Sequence, residues 1–380
     1  RQDLFRFANG QNLYQCDILR NTIEKINTWK REAENHDISK NLGHVAWTHG
    51  NNLFISTGGK EIAVTAETNP GIVFGSSRVH RNEFGISKGT FWSPKEDMVA
   101  FYRMDETMVT DYPLVDITSR IAAPIPVKYP MAGMTSHKVS VGIFNIATGA
   151  TLYLQTDETP DGDTMLRTEY LSNITWSPDQ QSIYVATLNR DQNYMQLNQY
   201  DVATGQLIKT HFKEQNNTYV EPLQGPKFIP GSSNRFIWES RRDGFNHLYL
   251  YDTEKGLIRQ LTSGDWEVTE FLTFDGKGTT AWFMGNKDNP LVNQLWISNL
   301  KNYEIRKITE TPGTHSCKIA HDGKYILDTW SSTQVARRIE LIDHSGVREQ
   351  VLLSDDNPLK DYALGETELL MLKTEDQKDL

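Results

Sequence analysis

The sequence predicts an all-β fold, a β-propeller of four-stranded blades, and three observations carry the prediction. A strand–turn–strand pattern recurs along the chain, a second strand–turn pattern alternates with it, and both return at a blade-like period. The first reads Phe91-Trp92-Ser93-Pro94, Ile174-Thr175-Trp176-Ser177-Pro178-Asp179 and Phe228-Ile229-Pro230-Gly231, with degraded copies around Asp275-Gly276 and Asp322-Gly323. The second reads Phe144-Asn145-Ile146-Ala147-Thr148-Gly149, Tyr200-Asp201-Val202-Ala203-Thr204-Gly205 and Tyr251-Asp252-Thr253-Glu254-Lys255-Gly256, with a weaker copy at Ile342-Asp343-His344-Ser345-Gly346. After a longer first interval, copies of the first pattern stand roughly 40–50 residues apart, the period of a propeller blade. Tight Asp-Gly and Pro-Asp turns joining strands rich in Tyr, Ile, Val, Phe and Trp complete four strands per unit.

Taken in order, the units centre on residues 5–30, 43–66, 90–155, 174–212, 227–262, 272–309 and 317–353. In the first, Ile18, Ile23, Ile26 and Trp29 are spaced nearly as on a helix, but Asn21–Ile26 also alternates, and strand plus loop is the reading preferred. The long interval holds a loop insertion at about 103–140, whose Pro113, Pro124, Pro126 and Pro130 exclude a central strand, because each proline removes a ladder donor. Thr367–Leu372 reads as a further strand. Eight blades are therefore expected, with seven as the alternative: a propeller over 1–365, then 366–380 as a last strand and the start of a join.

Composition narrows the function. The 380 residues carry 39 Lys and Arg against 49 Asp and Glu, a net charge of −10 that argues against nucleic-acid partners and anionic membranes. A hydrophobic share of 38% is enough for a core. No stretch approaches the ~18 consecutive apolar residues of a membrane span. Cys16 and Cys317, far apart, are read as two buried unpaired thiols rather than a disulfide framework or a zinc site.

Candidate chemistry is sparse. Gly85-Ile86-Ser87-Lys88-Gly89 matches Gly-x-Ser-x-Gly, but that motif works where a strand turns into a helix, and a strand follows here, so Ser87 is read as a loop residue. The histidines are scattered, His80 near Glu83 is too weak a pair for a metal, and no Gly-rich phosphate cradle exists; no metal and no cofactor are expected. Asp105-Glu106 and Asp161/Asp163 are the acid pairs a glycosidase would need, at separations a sequence does not show. One loop stands apart: Arg78-Val79-His80-Arg81-Asn82-Glu83-Phe84-Gly85 packs three basic residues and an acid between two blades. Either it is a solvated charged loop, or Glu83 faces a ligand cation while the arginines hold the loop.

An ordered set of segments resembles the N-terminal propeller region of the dipeptidyl peptidase IV family and its prolyl tripeptidyl peptidase relatives. They are the Glu83 loop and Phe91–Pro94, Ala100-Phe101-Tyr102-Arg103-Met104-Asp105-Glu106, Tyr129-Pro130-Met131-Ala132-Gly133, Ser240–Tyr249 and Thr262–Val268. The resemblance covers about residues 70–380. It implies a propeller that precedes an α/β-hydrolase domain carrying a Ser-Asp-His triad, acting on peptides with proline or alanine near the N-terminus. It also implies a pair of acids that binds the substrate's α-ammonium, mapping onto Asn82 and Glu83. Glu83 matches the second acid; Asn82 departs from the first, which puts strict dipeptidyl specificity in doubt and suits a tripeptidyl relative. Leu370–Leu380 resembles the crossing into the hydrolase domain, so no catalytic residue is expected in this chain, which would gate access and anchor the substrate. A homodimer, and a periplasmic, secreted or cell-surface place in a bacterium, go with the resemblance. The alternative is a stand-alone protein-interaction propeller.

Overall fold

Alternating apolar residues punctuated by short turns fold the chain into successive antiparallel meanders. The computed structural model describes residues 3–156, 168–355, 357–365 and 370–378. The chain divides into two compact units, Arg1–Gly264 and Asp265–Leu380.

Among the described residues the first unit holds five larger sheets and one two-stranded hairpin. The first is three-stranded: β1 (Leu4–Asn9), β2 (Asn12–Asp17) and β3 (Thr22–Thr28). The second comprises β4 (Glu34–Ile38), β5 (Val45–His49), β6 (Asn52–Thr57) and β7 (Lys60–Ala63). The third is interrupted twice. It begins with β8 (Ile72–Phe74), leaves the sheet through helix α1 (Val79–Phe84), and returns as β9 (Thr90–Trp92) and β10 (Met98–Asp105). A separate hairpin, β11 (Asp111–Asp116) with β12 (Ala123–Lys128), precedes β13 (Lys138–Asn145) and β14 (Thr151–Tyr153). The fourth sheet is β15 (Thr168–Trp176), β16 (Ser182–Asn189), β17 (Tyr194–Asp201) and β18 (Leu207–Gln215). The fifth is β19 (Lys227–Phe228), β20 (Arg235–Ser240), β21 (His247–Asp252) and β22 (Gly256–Gln260).

The second unit holds two sheets, β23 (Val268–Phe274) to β24 (Thr280–Gly285), β25 (Gln294–Asn299) and β26 (Ile305–Lys307), and then β27 (Thr314–Ile319), β28 (Tyr325–Ser331), β29 (Arg337–Asp343) and β30 (Arg348–Asp355). These meanders are the blades of a β-propeller. Seven lie among the described residues, the count held as the alternative. Of the strand expected at Thr367–Leu372, Thr367, Glu368 and Leu369 lie outside the described residues, while Leu370, Met371 and Leu372 are exposed and belong to no sheet.

Both repeated patterns have a physical cause. In the first, the serine closes the turn: the Met98 amide donates to Ser93 Oγ at 3.1 Å and the Ser182 amide to Ser177 Oγ at 2.9 Å. The tryptophan before it ties its sheet to the previous one, Trp176 Nε1 donating to Phe91 O at 3.0 Å and Trp92 Nε1 to Asp37 O at 3.1 Å. In the second, a side-chain oxygen accepts amides further along its own turn. Asn145 takes Ala147 and Thr148, Asp201 takes Thr204, and Asp252 takes Glu254 and Lys255.

The first unit's main core packs Tyr102, Tyr170, Tyr184, Tyr200, Phe236 and Trp238, all fully buried or nearly so. Aromatic burial of this kind contributes roughly 4–6 kcal/mol per ring as an upper bound. The second unit's core gathers around Trp282, Met284, Leu295 and Ile326, and Cys317 is buried within it. Cys16 departs from expectation: it is only partly buried on β2, a strand of a small three-stranded sheet. The expected strand over residues 21–26 is found as β3.

The Pro-rich insertion forms a two-stranded ribbon in which Pro113 faces Pro126 and Val115 faces Pro124. Both strands of a ribbon are edges, so the missing donors cost no central ladder bond.

Candidate functional site

Sheet pairing shows why α1 projects where it does. β8 pairs with Arg103–Asp105 of β10 and β9 pairs with Val99–Phe101 of the same strand. Residues 75–89 are thus a loop thrown out from one edge of β10 between two short strands. The throat is pinned to β10: the Gly75 amide donates to Tyr102 O and the Tyr102 amide to Gly89 O, each at 2.9 Å. The segment expected to be a charged loop is a helix, a correction with a local reason. Val79 and His80 are buried on one face, and Gly85, in the left-handed region at φ 64°, ends the helix, the Gly85 and Ile86 amides donating back to Arg81 O and His80 O.

The structure places Asn82 and Glu83 side by side on α1 and gives them different surroundings. Glu83 is half-buried and held at both oxygens: Tyr129 donates its hydroxyl to Oε1 at 2.7 Å, and Gln192 Nε2 donates to Oε2 at 2.9 Å. Tyr129 follows β12 directly, and Gln192 sits in the turn between β16 and β17 at φ 54°, a backbone state costly for a residue with a side chain. The bond to Glu83 pushes the Tyr129 phenol up from its ordinary value, while the nearby Arg190 guanidinium opposes the rise, so Tyr129 remains a donor at neutral pH. Asn82 is exposed and lines a cleft of about 650 Å³ with Arg78, Arg81, Glu106, Lys128 and Tyr129.

The basic residues of the segment turn away from Glu83. Arg81 donates to Ser87 O at 3.2 Å, and Arg78 donates to Asn51 Oδ1 at 2.9 Å and lies 3.9 Å from Glu106. Among the described residues no Lys, Arg or His stands within ion-pair distance of Glu83. Its carboxylate is oriented by two neutral donors and is in no ion pair among the described residues. Such a group can accept charge-assisted hydrogen bonds from an incoming ammonium.

Beneath the helix, His80 is fully buried among Tyr102, Phe84 and Tyr170, its ring centroid 4.7 Å from that of Tyr102, and neither ring nitrogen has a hydrogen-bond partner among the described residues. Burial, with His137 adding to it, lowers its pKa to about 3. His80 is thus a neutral core ring. Ser87 is exposed in the loop leading from α1 to β9, so the order is helix–loop–strand, the reverse of a nucleophile elbow. Asp105 binds the Thr107 amide and hydroxyl, while Glu106 is buried against His137, so that acid pair diverges; Asp161 and Asp163 lie outside the described residues.

Tyr129 and Gln192 are the partners that sequence reasoning missed. Tyr129 heads the segment Tyr129–Gly133, already singled out without a role; Gln192 carries no sequence signal, being 109 residues from Glu83.

Comparison with known proteins bears on the family of the chain. Residues 1–337 match the model of the dipeptidyl peptidase IV N-terminal region. The chain is 37% identical to a Bacteroides ovatus protein provisionally described as a dipeptidyl aminopeptidase IV, whose crystal structure superposes with a TM-score of 0.88 over 99% of this chain and 55% of that one. Porphyromonas gingivalis dipeptidyl peptidase 4 shares the fold at 24% identity and a TM-score of 0.82, over 99% of this chain and 54% of that one. Dipeptidyl-aminopeptidase B of Aspergillus niger is 25% identical over 312 residues, 74% of this chain and 34% of its own length. The chain therefore spans about a third of the length of the curated relatives it matches. The family match along most of its length, with seven blades among the described residues, places the chain in the dipeptidyl peptidase IV N-terminal region family.

Proposed function

We propose that this chain is the substrate-binding propeller of a prolyl-specific serine exopeptidase, dipeptidyl or tripeptidyl, with the chemistry supplied by an α/β-hydrolase domain of the same parent protein. It gates access and holds the N-terminal ammonium of a peptide with proline or alanine near that end. A periplasmic, secreted or cell-surface place belongs to the same reading. The observation that carries it is Glu83: a half-buried carboxylate, fixed at both oxygens by neutral donors and without a cationic partner among the described residues. A carboxylate so held keeps its full charge for a ligand and needs little reordering when the ligand arrives. Asn82, lining the neighbouring cleft, offers an amide oxygen where the family pattern has the first of its two acids. An Asn at that place leaves one charge for the ammonium instead of two.

The exposed apolar residues of the β11–β12 hairpin, among them Leu114, Val115, Ile117 and Ile125, favour a second reading as a protein-interaction surface, including one with a second copy of the chain.

Calorimetric titration of the chain with Ala-Pro-Ala, free and N-acetylated, tests the anchoring role. The free peptide should bind, and Glu83→Gln should weaken it by roughly 10–100-fold, the worth of one charge-assisted hydrogen bond. The acetylated peptide should bind weakly to both proteins. Equal affinity of wild type and Glu83→Gln for the free peptide would remove Glu83 from the site.

A further inference from the structure

We infer that Tyr129 is a positioning residue through which the β11–β12 hairpin sets the orientation of the Glu83 carboxylate. The inference rests on the reading of Glu83 as the ammonium anchor and goes beyond it, because it assigns a task to the insertion and to the segment Tyr129–Gly133.

Tyr129 is rooted in the hairpin from three sides. Its amide donates to Thr110 O at 3.3 Å, its ring meets Tyr112 of β11 edge-on at 6.0 Å, and the preceding Lys128 holds Val109 O at 2.9 Å and Asp111 at 3.0 Å. From that root the hydroxyl reaches Glu83, 46 residues away in sequence, at 2.7 Å. The other oxygen is held from the fourth sheet by Gln192. Helix α1 is only six residues long and makes no side-chain cap bond at its start, so its own frame constrains Glu83 weakly. Two donors on two oxygens, from two separate elements, fix the plane of the carboxylate.

Removing one donor has opposing consequences. A carboxylate that has lost the Tyr129 hydroxyl is a stronger acceptor, which favours the ammonium. Held by Gln192 at one oxygen only, it is also freer to rotate, and must be ordered when the ligand binds. Ordering a rotamer-rich side chain costs enough to outweigh a marginal gain in acceptor strength. Net weakening is therefore expected, of roughly three- to tenfold.

The test is a double-mutant cycle on the chain, read by titration with the same free and N-acetylated peptides. Tyr129→Phe keeps the ring against Tyr112 and removes only the hydroxyl. It should weaken the free peptide roughly three- to tenfold, leave the acetylated peptide unchanged, and have no further effect in a Glu83→Gln background. A merely structural role would lower both affinities together and persist when Glu83 is already neutral; that outcome overturns the inference, as does unchanged or tighter binding of the free peptide. Gln192→Leu, removing the donor to the other oxygen, should reproduce the selective loss, and its failure to do so would also count against orientation as the mechanism. The two readings separate cleanly. If Glu83→Gln alone is without effect, the anchor fails. If Glu83→Gln weakens binding and Tyr129→Phe does not, only the positioning role fails.

Discussion

His80 shows what burial does to a single residue beside the site. It lies three residues before Glu83 on α1 but is fully buried and walled by aromatic rings, with its pKa lowered to about 3 by burial first and by His137 second. The unfolded chain takes up a proton on this side chain near its ordinary value of 6.5, whereas the folded chain does not until about 3. Below pH 6.5 the unfolded state thus binds the extra proton, and stability falls as pH drops through that window. His80→Phe keeps a ring among rings and removes the titration. Denaturant unfolding at pH 6.5, 5.5 and 4.5 should show the variant losing less stability on acidification, by a slope approaching about 1.4 kcal/mol per pH unit. Parallel pH curves for variant and wild type would contradict the assignment. At this scale the sequence was only partly legible. Glu83 could be singled out because it sits in a contiguous charged run, and Asn82 only because the family resemblance maps onto it. Tyr129 and Gln192 could not, since they meet Glu83 only after 46 and 109 residues of chain have folded between them.

At the scale of elements, the Gly-x-Ser-x-Gly match finds a structural explanation that involves no nucleophile. Its first glycine, Gly85, stops α1, and its last, Gly89, closes the throat from which α1 projects. A Cβ on Gly89 would stand 2.5 Å from the carbonyl carbon of Gly75 and from two backbone atoms of Ser76. Backbone atoms cannot swing aside as a side-chain tip can, so the two arms of the loop must part. Gly89→Ala should therefore cost roughly 1–3 kcal/mol in urea unfolding and, by shifting α1, weaken the free peptide in titration. Ser87→Ala, exposed and between the two glycines, should change neither quantity. A Gly89→Ala protein as stable as wild type would show that the throat yields more easily than its geometry indicates. The helix itself escaped sequence reading because six residues are too few for a 3.6-residue period to be seen. The proline hairpin was half legible: Pro113, Pro124 and Pro126 excluded a central strand but did not announce a ribbon, in which every strand is an edge.

The molecule as a whole was the most legible scale, for a chemical reason. Successive blades reuse the same devices, a serine hydroxyl closing a turn in the third and fourth sheets and an Asn or Asp oxygen closing another in the third, fourth and fifth, so the sequence repeats where the structure does. The blade count was harder to read, because Thr367–Leu372 reads as a further strand, whereas Leu370, Met371 and Leu372 are exposed and in no sheet. Charge acts at this scale as well. The chain carries a net −10, whereas the proposed anchor is one half-buried carboxylate, Glu83. The two respond differently to salt: exposed charges are screened beyond a Debye length of about 10 Å at 0.1 M, and a partly buried contact far less. A C-terminally amidated peptide with a free N-terminus and an added lysine carries two positive charges and is drawn by the summed field, whereas on the proposed reading only its α-ammonium would dock on Glu83. Raising ionic strength from 0.05 to 0.5 M should therefore slow its association several-fold while leaving dissociation nearly constant. Stopped-flow measurement with a fluorescently labelled peptide separates the two rates. Glu83→Gln should do the reverse, speeding dissociation at every salt concentration and changing the salt dependence of association little, because it removes one charge among 49 acids. Salt-independent association in the wild type would show that the global field contributes nothing to capture, and that the local carboxylate acts alone.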